Sequence, residues 1–188
     1  MGNLASAKNL GGIGSILIVV GALIPVIGTA VAIVGFIMVL IAVKYISDET
    51  KDPGIFKNYL FSFIFAIVAF VVAVLVLVMG YLGLLLSGGN SDSGLVNFLA
   101  SIGLALVAFW ILVILSAVFL RRSYNSIYAH TKVSLFSTTA TVYLIGAFLV
   151  IVLIGLVIVF IAMILQIVAF FSLPEMIETQ ATSGQQYI

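Results

Sequence analysis

Four long stretches of this chain, residues 10–43, 59–87, 95–120 and 133–173, contain no Asp, Glu, Lys, Arg or His. A helix rises 1.5 Å per residue and a bilayer core is about 30 Å thick, so roughly 20 apolar residues make one crossing. Every stretch meets that length. Soluble domains are about a quarter charged. This chain is 64% hydrophobic and 7% charged, which is too little charge to cover a globule in water. The expected fold is therefore all-α, a polytopic transmembrane helical bundle. It forms one domain over 1–173, and a polar cytoplasmic tail follows at 174–188.

The helix count follows from length. The second and third stretches are single crossings of about 40 Å, whereas the last would reach about 60 Å as one straight helix. Folding the first and last into hairpins gives arms of about 15–20 residues, near the length of one crossing. Pro25, in Ile24-Pro25-Val26-Ile27-Gly28, breaks the first. Gly155 is the one obvious break in the last. Six helices are predicted near 8–24, 28–46, 58–87, 95–120, 135–150 and 153–173, with four long or kinked helices as the alternative. Neither hairpin turn carries a charged residue. Both hairpins are therefore candidates for re-entrant segments, shielded by neighbouring helices. Wedges entering one leaflet in this way would also bend a membrane.

The two outer stretches align with each other. Gly21-Ala22 matches Gly146-Ala147, and after a two-residue slip Gly28 matches Gly155 and Ala42 matches Ala169. Either a duplicated hairpin or the low complexity of apolar sequence accounts for this.

Polar segments separate the stretches. Residues 47–54 read as a charged turn ending in Pro53-Gly54, and 87–94 as a Gly/Ser-rich loop. Residues 121–134 read as a basic, aromatic loop. With six helices, all 7 Lys and Arg residues fall on one side and Asp92 alone on the other. The excess of positive charge makes the basic side cytoplasmic, with both termini and the 47–57 and 121–134 loops there, in a multi-pass plasma-membrane protein. The N-terminal Met1-Gly2-Asn3-Leu4-Ala5-Ser6 fits a myristoylation pattern that is too short to be specific. Lys8 and the run ending at Ala30-Val31-Ala32 read better as a first helix than as a cleaved signal, because hydrophobicity resumes at Ile33.

Little in the sequence supports catalysis. Every Asp, Glu, Lys, Arg and His falls in a loop, at a helix end or in the tail, and none lies deep in a predicted helix, where proton relays and coupled transporters carry theirs. There is no cysteine, and His130 is the lone histidine. His130 reads as a surface residue, and Asp48, Glu49 and Asp52 as a solvated turn beside Lys51. No phosphate-binding, dinucleotide-binding or hydrolase motif occurs. The expectation is no enzyme, no metal, no cofactor and, at net charge +1, no nucleic-acid partner.

The remaining candidates are contact residues. Arg121, Arg122, Tyr124, Tyr128 and Lys132 suit anionic headgroups or a partner at the membrane surface. Gly14, Gly21, Gly28 and Gly35 recur every seven residues and suit close helix packing. Gln166 is the most polar side chain deep in a helix, expected to bond Thr138, Thr139, Thr141 or Tyr143 across its hairpin. Ser62, Ser101, Ser116, Thr138 and Gln166 would line a path for solutes if they converged.

The motifs Lys8-Asn9-Leu10-Gly11-Gly12-Ile13-Gly14-Ser15 and Asp52-Pro53-Gly54-Ile55-Phe56-Lys57-Asn58 resemble a largely archaeal membrane family known as domain of unknown function 996. So does Ala169-Phe170-Phe171-Ser172-Leu173-Pro174. The resemblance implies a helical plasma-membrane protein with no assigned activity and no functional residues to carry over. The expected role is a non-enzymatic accessory or structural component, contacting lipids and either copies of itself or a larger membrane complex. The alternatives are a small channel or carrier for lipids or uncharged solutes, and a membrane-shaping hairpin protein.

Overall fold

In the computed structural model, which describes residues 3–25, 27–87 and 92–174, Pro25 divides the first apolar run into α1 (Asn3–Leu23) and α2 (Ile27–Thr50). The central runs form α3 (Pro53–Leu86) and α4 (Asp92–Thr131). The last run forms α5 (Ser134–Leu149), a 3-10 turn (Val150–Val152) and α6 (Ile154–Phe171). Six spans are long and apolar enough to cross a membrane, α5 being counted together with its 3-10 turn as Ser134–Val152, and no strand occurs among the described residues. The four-helix alternative is set aside. The last run breaks because Leu153 adopts a left-handed backbone, φ 64°, which ends the 3-10 turn and restarts the helix.

The connections at the opposite end are equally short. Thr50 ends α2, Lys51 turns left-handed at φ 55°, and Asp52 caps α3 by accepting the Gly54 amide at 2.9 Å. Thr131 ends α4 and Lys132 turns left-handed at φ 58°. Two expectations are corrected here. The charged turn begins only after Thr50, and most of the basic, aromatic 121–134 segment is helix rather than loop. Neither segment contains a breaker before its end, so polarity marks where each helix leaves the apolar layer and not where it stops. The 175–188 part of the tail and the 88–91 part of the Gly/Ser loop lie outside the described residues, as does the Met1-Gly2 pattern.

Each helix packs on the next in sequence, and α6 returns to α1, so the six close into a ring. Lys44, Lys51, Lys57, Arg121, Arg122 and Lys132 are exposed at one end, with Lys8 half-buried beside them. The ring is tightest at this basic end, where Leu4, Ile46, Ile55, Ile127 and Leu173 are buried together.

The helices are unequal in length. At 34 and 40 residues, α3 and α4 reach about 50 and 60 Å, while the 16-residue α5 reaches about 24 Å. Trp110 Nε1 of α4 donates to Phe148 O near the α5–α6 turn at 3.1 Å. From Trp110, α4 runs roughly 27 Å further to Asp92. The Phe36–Phe63 ring contact, 6.1 Å between centroids, registers α2 against α3 and leaves the α1–α2 turn about 20 Å short of Leu86. The architecture is thus one tall central hairpin flanked by two short ones. Their turns are apolar, with Leu23, Ile27, Val152 and Leu153 exposed.

Candidate functional site

The short hairpins are seamed by glycine. A methyl placed on Gly21 would lie 2.5 Å from the Gly28 carbonyl oxygen, and one on Gly35 would lie 2.5 Å from that of Gly14. Backbone therefore touches backbone at two levels one heptad apart, and the buried pair Ala7 and Ala42 falls one heptad further along. The second hairpin repeats the arrangement. A methyl on Gly155 would collide with the Gly146 carbonyl, and Thr139 and Ala162, one heptad on, are both fully buried. The aligned pairs Gly21/Gly28 and Gly146/Gly155 thus occupy equivalent crossings.

The two hairpins meet through α1 and α6. Gly11 and Gly12 give the rings of Phe170 and Phe171 a flat bed that any side chain would fill. Four residues on, Ser15 donates to the Gly11 carbonyl at 2.7 Å and accepts from Gln166 Nε2 at 2.9 Å. Gln166 therefore bonds across the ring closure to α1. None of the expected partners on α5 bonds it: Thr138 and Thr141 donate to their own helix, to the carbonyls of Ser134 and Ser137, and the buried Thr139 hydroxyl has no partner among the described residues.

Serines seam the central hairpin. Ser123 Oγ donates to Ile55 O at 2.8 Å, and one heptad on Ser116 Oγ donates to Ser62 O at 2.8 Å. Ser62 Oγ lies 3.1 Å from Ser116 Oγ. Between the three hairpins the basic end is stopped by aromatic rings. Tyr124 stacks on Tyr59 at 6.2 Å and meets Phe136 and Phe170 edge-on at 5.3 and 6.5 Å. Tyr124, Phe136 and Phe170 are fully buried.

Above this stop lies a half-open cavity of about 180 Å³. Five helices reach it, with Phe36, Tyr59, Ser62, Ser116, Tyr143 and Gln166 among its walls. Three of the five residues proposed to line a path, Ser62, Ser116 and Gln166, do converge. Ser101 bonds its own helix at Phe98 O and Thr138 is exposed, so the polar residues stop at one chamber.

The surface candidates divide. Arg121, Arg122, Tyr128 and Lys132 are exposed, and the Arg122 guanidinium sits over the Phe119 ring at 5.4 Å. Tyr124 is no surface residue. It lies two residues on from Arg122, more than half a turn round the helix, on the stripe with Ser123, Ile127 and Thr131 that faces the core. Its identity alone could not reveal that; only a helix assignment through 131 would have. His130 is exposed and lies 3.3 Å from Asp52, tying the α2–α3 turn to the end of α4.

The model of a protein family described as protein of unknown function (DUF996) matches residues 31–164 of this chain. The uncharacterized protein MJ1644 of Methanocaldococcus jannaschii is 33% identical over 177 residues, covering 94% of this chain and 97% of that protein. The chain belongs to the DUF996 family. No solved structure matches it. Within the family match lie α3 to α5, most of α2 and α6, and every cavity-lining residue except Gln166. Ser15, the partner of Gln166, also lies outside it.

Proposed function

We propose that this DUF996 protein is a non-enzymatic structural or accessory component of the plasma membrane, built to load one leaflet more heavily than the other. The observation that carries this is the Trp110–Phe148 contact, which stops the α5–α6 turn beside the middle of α4. Six helices thus fill the basic half of the layer, and two continue through the far half. With basic residues facing the cytoplasm, the flanking hairpins occupy the cytoplasmic side and their apolar turns end inside hydrocarbon. Arg121, Arg122, Tyr128 and Lys132 then lie at anionic headgroups. Membrane lipids are the first partners, and other copies or a larger complex pack along the tall hairpin. A continuous pore is disfavoured by the aromatic stop at Tyr124.

Depth measurements test this directly, because the chain has no native cysteine. Single spin labels at Val152→Cys and Leu86→Cys are compared in reconstituted vesicles. The first should sit near the bilayer centre and the second near the far surface. A Val152→Cys label at the aqueous boundary opposite the basic end would overturn the half-depth hairpin. Ser183→Cys should resist an impermeant thiol reagent outside intact cells, since both termini are cytoplasmic in this reading. Extraction in mild detergent with mass spectrometry of what co-purifies distinguishes a partner complex from a homo-oligomer.

A further inference from the structure

We infer that the cavity between the hairpins binds an uncharged, membrane-dissolved amphiphile, a lipid with hydroxyl and ester or carbonyl groups at its head and no phosphate. Three observations converge on that class.

Polarity is the first. Serine protons in the cavity are engaged, because Ser116 Oγ donates to Ser62 O and Ser62 Oγ pairs with Ser116 Oγ. Gln166 uses one amide proton on Ser15. The hydroxyls of Tyr59 and Tyr143 and the Gln166 carbonyl oxygen have no hydrogen-bond partner among the described residues. Two donors and an acceptor are thus left to residues that wall a mostly apolar chamber. In a low-dielectric site such groups favour a ligand that offers the complementary atoms. A hydroxyl-and-ester head supplies both kinds.

Charge is the second. No Lys, Arg, His, Asp or Glu lines the chamber. A phosphate or ammonium head would be buried without a counterion, which a low-dielectric chamber strongly disfavours. Ordinary phospholipid heads are therefore excluded from the chamber itself.

Access is the third. The floor is shut by Tyr124, Phe136 and Phe170, so nothing reaches it from the basic end. Ala66 of α3 is the exposed residue of the lining, and it sits among the exposed Ile64, Ile67 and Phe70. The mouth opens on the same apolar flank that faces hydrocarbon. A volume of about 180 Å³ takes a ring-sized head and the first carbons of a chain. A longer tail would lie along α3.

The test uses the full-length protein in phosphatidylcholine vesicles with a trace of diacylglycerol carrying a diazirine on one acyl chain. After photolysis the labelled peptides are mapped. Labelling should concentrate on Phe63, Ala66 and Val159 and be competed by unlabelled diacylglycerol. Tyr143→Phe removes one unpaired hydroxyl and should lower labelling about fivefold, the effect of one hydrogen bond of about 1 kcal/mol. Ala66→Phe fills the mouth and should lower it comparably. The two variants are independent, and each is scored only if it elutes as wild type from size exclusion, so one misfolded protein leaves the other decisive. Unchanged labelling in a folded variant overturns the proposal. So does equal labelling by a phosphatidylcholine bearing the same diazirine chain, which would make the chamber a slot for any neighbouring acyl chain.

Discussion

Gln166 of α6 donates to Ser15 of α1 at 2.9 Å, a bond between residues 151 positions apart that ties the end of the helical ring to its start. Both side chains are buried, and the Ser15 hydroxyl in turn donates a hydrogen bond to the Gly11 carbonyl. In an apolar layer such interhelical bonds contribute about 0.6–2 kcal/mol. Gln166→Leu keeps the volume and removes the bond. It should lower unfolding stability in detergent by about 1–2 kcal/mol, and Ser15→Ala in the Gln166→Leu background should add little. Full additivity of the two losses would show that the residues do not act as a pair.

Glycines in this chain fall into two groups, and the same substitution should act oppositely on them. Gly21→Ala sets a methyl 2.5 Å from the Gly28 carbonyl oxygen and 2.7 Å from the Ala32 amide nitrogen. Both are backbone, so the hairpin must splay, at about 1–3 kcal/mol. Gly83 and Gly103 have open space where a methyl would go. Alanine at either should be neutral or stabilise by about 0.5–1 kcal/mol. Equal losses at Gly21 and Gly83, measured by thermal unfolding in one detergent, would remove the argument from close approach.

Tyr124 is buried among rings with its hydroxyl unpaired. An unpaired buried hydroxyl costs about 1–3 kcal/mol. Tyr124→Phe retains the contacts with Tyr59, Phe136 and Phe170 and discards that cost. The variant should be more stable than the natural protein by about 1 kcal/mol. A destabilised Tyr124→Phe would mean that the hydroxyl has a partner in the membrane.

Leu153 holds a left-handed backbone at φ 64° in the α5–α6 turn. That conformation costs a side chain about 1–2 kcal/mol, part of which glycine returns as greater freedom in the unfolded chain. Leu153→Gly should therefore stabilise by about 0.5–1 kcal/mol. The check is a denaturation midpoint that rises rather than falls.

Much of this fold was legible in the sequence because lipid leaves few options. Length and apolarity dictate helices, Pro25 breaks one run, and the heptad of Gly14, Gly21, Gly28 and Gly35 announces a seam. Less legible were features that depend on direction around a helix. Arg122 and Tyr124 are two residues apart, yet one faces out and the other plugs the core. Gln166 was recognisable as buried and polar, but its partner was not. Ser15 lies in another hairpin, and a serine in a helix commonly bonds its own backbone. The cavity was half legible. Ser62, Ser116 and Gln166 were candidates on polarity alone, whereas Tyr59 and Tyr143 pass as interface or core aromatics until the ring of helices places both in the wall of one chamber. Unequal hairpin height was partly legible: short arms and uncharged turns made re-entrant hairpins an alternative, but apolar composition is the same at every depth and could not decide it.

The glycine seams carry a consequence for how the protein is made. Gly21 meets Gly28, Gly14 meets Gly35 and Gly146 meets Gly155, so each outer hairpin is held by partners close together in the chain. Each pair of arms can therefore zip as soon as its second arm emerges from the ribosome, and leave the translocon as a finished unit. The bond from Gln166 to Ser15 cannot form until nearly the whole chain has been translated. Assembly then proceeds hairpin by hairpin, and the ring is latched last.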